Sequence, residues 1–214
     1  SDIPPYMAQL ITYKNLSKTY GSHDLFSGID LTINDNDKIG LIGVNGTGKS
    51  TLLKIMAGVE DPDIGERFGR KGLKTVYLAQ EDIIQRDRSI MENLLSCLSD
   101  EEKSDSARSG RVFRIAGQAG FDDVEKKAGT LSGGGVKKLA VAMALAQEPD
   151  LMFLDEPTNH LDIDGILWLE NILRNSRFAF VLVTHDRRFL DNTVTSVVEI
   201  GKYEIRNFKS WLFV

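Results

Sequence analysis

Eight consecutive residues constrain this chain more than anything else in it: Gly43-Val44-Asn45-Gly46-Thr47-Gly48-Lys49-Ser50. They fit the spacing G-x-x-x-x-G-K-[ST], and their neighbours suit that motif. The apolar run Lys38-Ile39-Gly40-Leu41-Ile42 reads as a buried strand leading in, and residues 51–57 read as a helix leading out, stopped by Gly58. A strand, a glycine-rich turn and a helix N-terminus together make an anion cradle. Backbone N–H groups turn inward at the glycines, and the helix dipole adds partial positive charge. Here Lys49 would set a point charge on nucleotide phosphates, and the Ser50 hydroxyl would ligate Mg²⁺. The candidate contacts are Gly43, Asn45, Gly46, Gly48, Lys49, Ser50 and Thr51.

A second element completes the chemistry. Leu151-Met152-Phe153-Leu154-Asp155-Glu156 is an apolar strand that ends in two acids. In parallel α/β sheets, ligands bind beyond the C-terminal strand ends, so Asp155 and Glu156 are expected beside the phosphate loop. Asp155 would hold Mg²⁺ through water, and Glu156 would orient and deprotonate an attacking water. Standing alone, an acidic strand end is more often a solvated turn. Paired with a phosphate loop it reads as a metal and base site.

Around these motifs, strands alternate with helices. Strand signals fall at residues 10–13, at Leu25-Phe26 with the alternation Ile29, Leu31 and Ile33, and at residues 75–78. Residues 134–146 and 163–173 read as helices, residues 178–183 and 196–200 as strands, with a short helix after Asp186. This alternation predicts an α/β fold with a mainly parallel sheet covered on both faces. Between residues 82 and 127 the character changes. Ile90, Leu94, Leu95 and Leu98 recur at helical spacing and a polar stretch, residues 99–110, follows. That section is expected to be a mostly helical subdomain inserted into the core.

Composition narrows the setting. A chain of 214 residues buries roughly 70% of its unfolded surface. It holds no apolar run near 18 residues and no signal-peptide pattern, and one cysteine, Cys97, cannot form an internal disulfide. Cys97 is expected to be a reduced thiol on an apolar helix face. These features point to the cytoplasm. Twenty-six Lys and Arg against 31 Asp and Glu give a net charge of −5, which argues against a protein that coats nucleic acid but leaves local patches open. Met7-Ala8-Gln9-Leu10 reads as a natural start, so residues 1–6 are set aside from the fold.

The next motif points to a family. Leu131-Ser132-Gly133-Gly134 resembles the L-S-G-G signature of ATP-binding cassette proteins, a group of P-loop NTPases, and further matches follow that family's order. Tyr20 stands where these proteins stack an aromatic ring on adenine. Gln80 matches the Q-loop glutamine that touches Mg²⁺ and the attacking water, Asn159-His160-Leu161-Asp162 the D-loop, and His185 the switch histidine at the γ-phosphate. Tyr20 or Gln80 alone would pass for ordinary surface residues; the ordered set does not.

The resemblance implies an ATP-binding cassette fold with N-terminal antiparallel β strands. It divides the chain into a first nucleotide-binding part (residues 7–80), a helical insert (81–130) and a second nucleotide-binding part (131–214). It further implies Mg²⁺-dependent ATP hydrolysis by Glu156, His185 and Gln80, with Ser50, Gln80 and Asp155 toward the metal. Ser132 and Gly134, at a helix N-terminus, would serve the γ-phosphate held by a second cassette, either in the same polypeptide or in a homodimer. A monomer would then bind nucleotide but turn it over slowly. The chain departs from the pattern at Gly135-Val136-Lys137-Lys138, where family members usually carry Gln or Glu directly after L-S-G-G. Weaker bridging of ATP is expected there.

Several segments are similar to the ABC-F group, whose members lack transmembrane domains, carry two cassettes in one chain and in many cases act on ribosomes. Glu156-Pro157-Thr158-Asn159-His160-Leu161-Asp162 matches the group's E-P-T-N-H-L-D, and Thr184-His185-Asp186-Arg187-Arg188-Phe189-Leu190 is similar to its S-H-D-R-x-F-L. Asn207-Phe208-Lys209-Ser210-Trp211-Leu212 is similar to the pattern that closes a cassette, and Ile163-Asp164-Gly165-Ile166-Leu167-Trp168-Leu169-Glu170 looks Uup-like, although an amphipathic helix with a packing tryptophan explains that segment as well. One cassette is present, expected to be the N-terminal of two. Residues 81–130 are shorter than the group's usual insertion, and residues 201–206 are compressed. The ribosome and its RNA are the expected partner. Arg111, Arg114, Lys126, Lys127, Arg187 and Arg188 are candidate RNA contacts, each more readily read as a solvated helix face or an ordinary surface ion pair. Two other outputs share the same motifs: the nucleotide-binding subunit of a membrane transporter, and a non-catalytic switch that dimerises on binding nucleotide.

Overall fold

The computed structural model of the protein describes residues 8–80, 84–201 and 205–208. Two sheets organise it. In the smaller, β1 (Gln9–Tyr20) lies between β2 (His23–Asn34) and β4 (Ile64–Gly69), antiparallel to both. The larger sheet contains β3 (Lys38–Ile42), β5 (Thr75–Leu78), β6 (Leu151–Asp155), β7 (Ala179–Val183), β8 (Ser196–Ile200) and β9 (Ile205–Phe208). Its order is β5-β6-β7-β3-β8-β9, parallel from β5 to β8 and antiparallel at the β9 edge. The expected mainly parallel sheet and N-terminal antiparallel strands are both present.

Alternation along the strands decides the layers. On β6, Leu151 and Phe153 face one way and Met152 and Leu154 the other, and all are fully buried. The Leu151 face meets the antiparallel sheet, through Tyr13, Phe26 and Ile33, and α1 (Lys49–Ala57), through Leu52, Leu53, Ile55 and Met56. The Met152 face meets α5 (Gly133–Ala146), α6 (Ile163–Asn175) and α7 (Arg187–Thr193), through Val141, Leu169, Leu173 and Phe189. Each such side chain stabilises the fold by about 1.5–3 kcal/mol relative to exposure. Strands buried on both faces read as unbroken apolar runs, which is why residues 151–154 and 179–183 carry no polar alternation.

Among the described residues, three α-helices stand between β5 and α5: α2 (Ile90–Ser96), α3 (Asp100–Ser104) and α4 (Ser106–Gln118). Ile90, Leu94, Val112, Ile115 and Ala116 form their own core against Leu139, Ala142 and Ala146 of α5. Helix α5 therefore faces two cores at once. This explains its run of alanines, because small side chains allow close approach on two sides.

Two strands depart from the sequence reading, and two helices refine the section read as mostly helical. The polar stretch at residues 99–110 is helical: Ser99 and Glu102 form a reciprocal capping box on α3, and Asp105 caps α4. The antiparallel sheet gains β4, whose residues are mostly exposed and so lack an apolar alternation to announce it. Strand β1 runs on past residue 13 to Tyr20 through irregular register against β2. Cys97 closes α2, half-buried, with its Sγ donating to the carbonyls of Leu94 and Met143, and burial raises its pKa to about 11. The expectations for residues 1–7, 81–83, 202–204 and 209–214 lie outside the described residues.

Candidate functional site

The phosphate loop leaves the C-terminal end of β3, which the larger sheet places between β7 and β8. Its register aligns Gly40 with Leu182, and β6 aligns Leu154 with the same residue, so the ends of β3, β6 and β7 converge. A cleft of about 460 Å³ opens there, within the usual range of small-molecule sites. Tyr20, Asn45, Gly46, Gly48, Lys49, Ser50, Thr51, Gln80, Glu156 and His185 line it, together with Leu25, Asn159 and Val183. Residues that the sequence spreads over 165 positions thus share one cavity, from Tyr20 to His185.

Glycine is needed in the loop for two different reasons. Gly48 has φ 82°, a left-handed conformation costly for other residues, and it caps α1. At Gly43 a Cβ would stand 2.8 Å from the carbonyl oxygen of Ile200, so a side chain would push the loop off β8. The Lys49 ammonium folds back to donate to the carbonyls of Gly43 (2.9 Å) and Val44 (3.1 Å). That contact keeps the cation on the loop whose N–H groups would hold phosphate.

Across the cleft, the Ser50 hydroxyl donates to Asp155 Oδ1 at 3.1 Å. The Tyr77 hydroxyl donates to Asp155 Oδ2 at 3.2 Å, and burial followed by the Asp155 charge pushes the Tyr77 pKa well above its ordinary value. Asp155 is 2% exposed and is therefore a buried carboxylate held on both oxygens. Ser50 and Asp155 present hard oxygen donors side by side, the ligand chemistry that suits Mg²⁺ with most of its waters kept.

Glu156 is the strained member of the site. It is 7% exposed, and its φ of 48° is unusual for any residue but glycine. Its Oε2 accepts from the backbone N–H of His185 at 3.2 Å. Its buried Oε1 accepts no hydrogen bond, and His185 Nε2 stands 3.3 Å from it. Burial raises the Glu156 pKa, and the His185 N–H opposes the shift. A strained carboxylate with a free acceptor, facing a phosphate loop, is suited to take a hydrogen bond from water.

Tyr20 is 55% exposed at the cleft mouth, and its hydroxyl donates to Glu60 at 3.0 Å. Lys18 bridges Glu60 and Asp63 behind it, which holds the ring on one side of the cleft. Ser132 and Gly134 do not line this cleft. They open α5, where the Ser132 Oγ caps the helix by accepting from the Gly135 N–H at 3.2 Å. A Cβ on Gly134 would lie 2.9 Å from the His160 carbonyl, so the start of α5 rests directly on the segment 159–162. Gly135 is closely placed as well: a Cβ there would meet the Leu131 Cβ at 3.1 Å, tighter than an ordinary contact, so Leu131 would have to give.

The six candidate basic residues do not gather. Arg111 pairs with Glu148, and it shares a groove with Arg114 and Arg177 that Lys126, Lys127, Arg187 and Arg188 do not line. Two residues that motif reading passed over have polar partners at the site. Tyr77 sits three residues before Gln80 on β5, and a strand tyrosine signals packing before it signals a hydrogen bond. Lys137 is fully buried on α5, where a lysine reads as a solvated head group.

Comparison with known proteins follows the same lines. The profile of the family described as "ABC transporter" matches residues 26–159. The ATP-binding protein Uup of Caulobacter vibrioides is 40% identical over 219 residues, covering 97% of this chain and 34% of that protein. The energy-dependent translational throttle protein EttA of Haemophilus influenzae is 32% identical over 229 residues, covering 88% of this chain and 41% of that protein. The chain thus spans about a third of the length of the curated relatives it matches. A solved structure described as the ATP binding subunit of an ABC transporter shares the fold, with TM-score 0.82 at 20% identity over 94% of this chain and 90% of that one. The phosphate loop, the acidic strand end and the L-S-G-G helix therefore have one common account: the chain belongs to the ABC transporter family of ATP-hydrolysing cassettes, and within it is an ABC-F-like ATPase cassette.

Proposed function

We propose that this cassette binds ATP with Mg²⁺ and hydrolyses it at the cleft between the phosphate loop and β6. The observation that carries this reading is the arrangement of Ser50, Asp155 and Glu156. The Ser50 and Asp155 oxygens lie 3.1 Å apart, Ser50 lines one cleft with Lys49 and Glu156, and one Glu156 carboxylate oxygen accepts no hydrogen bond. Bound Mg²⁺ would draw charge from the β- and γ-phosphates as the bond between them breaks. Ser50 and Asp155 would hold the ion, Asp155 through water, together with Gln80. Lys49 and the loop N–H groups would fix the phosphates. Glu156 would accept a proton from the attacking water, while His185 would stand at the γ-phosphate. Tyr20 would stack on adenine.

The chain divides, in this reading, at residues 80 and 130, with residues 81–130 as a helical insert between two halves of the nucleotide core. Ser132 and Gly134 lie outside their own cleft, and the signature helix would serve the γ-phosphate held by a second cassette. Head-to-tail closure would complete two sites, so the cassette alone would turn ATP over slowly. Completing a site adds charge stabilisation in the transition state, an effect worth several kcal/mol.

The driven step, in this reading, is ribosome-associated and cytoplasmic. Support comes from the segment Glu156–Asp162, from similarity to Uup and to EttA, whose name describes a translational throttle, and from the fact that no helix among the described residues is long and apolar enough to cross a membrane. The test is co-sedimentation of the full natural protein, carrying Glu156→Gln, with purified ribosomes. ATP-dependent co-sedimentation, with wild-type turnover altered by ribosomes, supports the reading. Absence of association in either nucleotide state removes the ribosome from it and leaves the hydrolytic chemistry standing.

A further inference from the structure

Lys137 is 0% exposed, and no step described so far uses it. It sits in the second turn of α5, near the positive end of the helix dipole, where a cation is disfavoured. It is also removed from water, which is costly for an ammonium group unless acceptors surround it. Neither the helix nor the apolar cores beside it gain from a charge there. What the position offers is reach. Among its contacts, the Lys137 Nζ donates to the carbonyl of Ala79 at 3.3 Å and to that of Gln80 at 3.2 Å.

These carbonyls belong to the segment that follows β5 and carries Gln80 into the nucleotide cleft. Tyr77, three residues earlier, is tied to Asp155. The segment leading to Gln80 is thus tied through the Tyr77 side chain to the metal-side carboxylate and through its own carbonyls to the ammonium of α5. Gln80 itself is exposed, and its side chain gains no order from packing. Its direction depends on where its own backbone is held.

We propose that Lys137 is a positioning residue for Gln80, clamping the backbone of residues 79–80 to the helix that begins with Ser132. The inference rests on the reading of Gln80 as a residue that contacts Mg²⁺ and the attacking water. Its consequence is a mechanical link between two sites. The first turn of α5 faces a second cassette's nucleotide, and its second turn holds the glutamine that serves this chain's own. A shift of α5 on closure would carry Gln80 with it.

The test uses Lys137→Met, which keeps length and apolar bulk but removes the charge, in the full natural protein. Turnover should fall about tenfold while ATP affinity stays within about twofold, because an interaction made in the transition state is lost and ground-state binding is not. Amide exchange at residues 79–80 in nucleotide-free protein should rise, while exchange in β6 stays unchanged. Lys137→Gln, which keeps an N–H donor, should fall between wild type and Lys137→Met. The double variant Lys137→Met/Gln80→Ala should be no slower than Gln80→Ala, since two residues acting through one step are not additive. Independent, multiplicative losses would overturn the proposal, and so would wild-type turnover in Lys137→Met. If Lys137→Met does not fold, wild-type turnover and exchange in Lys137→Gln overturn it instead. If Gln80→Ala itself turns over normally, the reading of Gln80 fails and this inference falls with it. If Gln80→Ala is slow and Lys137→Met is not, the inference alone falls.

Discussion

His185 reaches Glu156 twice, with its backbone N–H 3.2 Å from Oε2 and its ring Nε2 3.3 Å from Oε1. The histidine side chain is 68% exposed and the glutamate's 9%, so one partner can swing into solvent while the other cannot. Burial is the main cause of the raised Glu156 pKa. An unfolded glutamate releases its proton in the ordinary carboxylate range, and the folded one holds it to higher pH. Between those limits the folded state binds more protons, so stability declines as pH rises through the window. Glu156→Gln should therefore be more stable than wild type at neutral pH, by about 1 kcal/mol, a gain common where a functional carboxylate is removed. The gain should vanish below the ordinary carboxylate range. Calorimetric melting across pH checks this, and a gain independent of pH would assign the cost to something other than ionisation.

The same substitution should stop turnover and spare binding. With ATP bound and no base to take the proton, a two-cassette protein should remain closed, its ATPase rate lowered by at least about 100-fold. A rate near wild type, measured by phosphate release, would move the base to another residue.

Lys49→Ala should abolish measurable ATP binding in calorimetry. It removes the cation on the phosphates and also the donor that the carbonyls of Gly43 and Val44 use to hold the loop together. Unchanged affinity would remove the loop from the nucleotide site.

Tyr77→Phe should cost about 1 kcal/mol of stability, the ordinary loss for one hydrogen bond, and leave Asp155 Oδ2 without its donor. The carboxylate should then be less fixed. ATP affinity should weaken several-fold with Mg²⁺ present and stay unchanged in a chelator. Equal affinities for both proteins in both conditions would confine Tyr77 to packing.

Neighbouring glycines should respond in opposite ways. A Cβ on Gly133 would find His160 Cβ at 3.6 Å, an ordinary contact, and Gly133→Ala should stabilise by about 0.5 kcal/mol through the unfolded chain. A Cβ on Gly134 would press to 2.9 Å on the His160 carbonyl, a backbone atom that cannot turn aside. Gly134→Ala should lose about 1–3 kcal/mol or displace residues 159–162. Equal melting temperatures for the two variants would contradict the contact.

Much of this was legible in the residues. The strands at residues 75–78, 151–154 and 196–200 and the helix at 163–173 declare themselves because burial on both faces, or on one helical stripe, demands long apolar patterns. Strand β4 escaped because an edge strand with exposed side chains carries no such pattern. Helices α3 and α4 hid in a polar stretch whose signals were caps, Ser99 with Glu102 and Asp105. At the site, Lys49, Ser50, Asp155 and Glu156 could be read because their chemistry requires fixed neighbours in sequence. Tyr77 and Lys137 could not. Each acts on a group distant along the chain, and only the fold supplies its partner.

Strand β3 has a further bearing on how the molecule comes to exist. Its two sheet neighbours, β7 and β8, belong to the last part of the chain described, and Ser50 meets Asp155 across 105 residues. A polypeptide made from its N-terminus has its phosphate loop long before the two strands that flank β3 in the sheet. The phosphate loop is therefore made well before its sheet is complete. Nucleotide cannot steady the nascent chain, and its stabilising effect by mass action begins only when residues 179–200 have joined the sheet. Halted synthesis should yield fragments with an intact motif and no affinity for ATP.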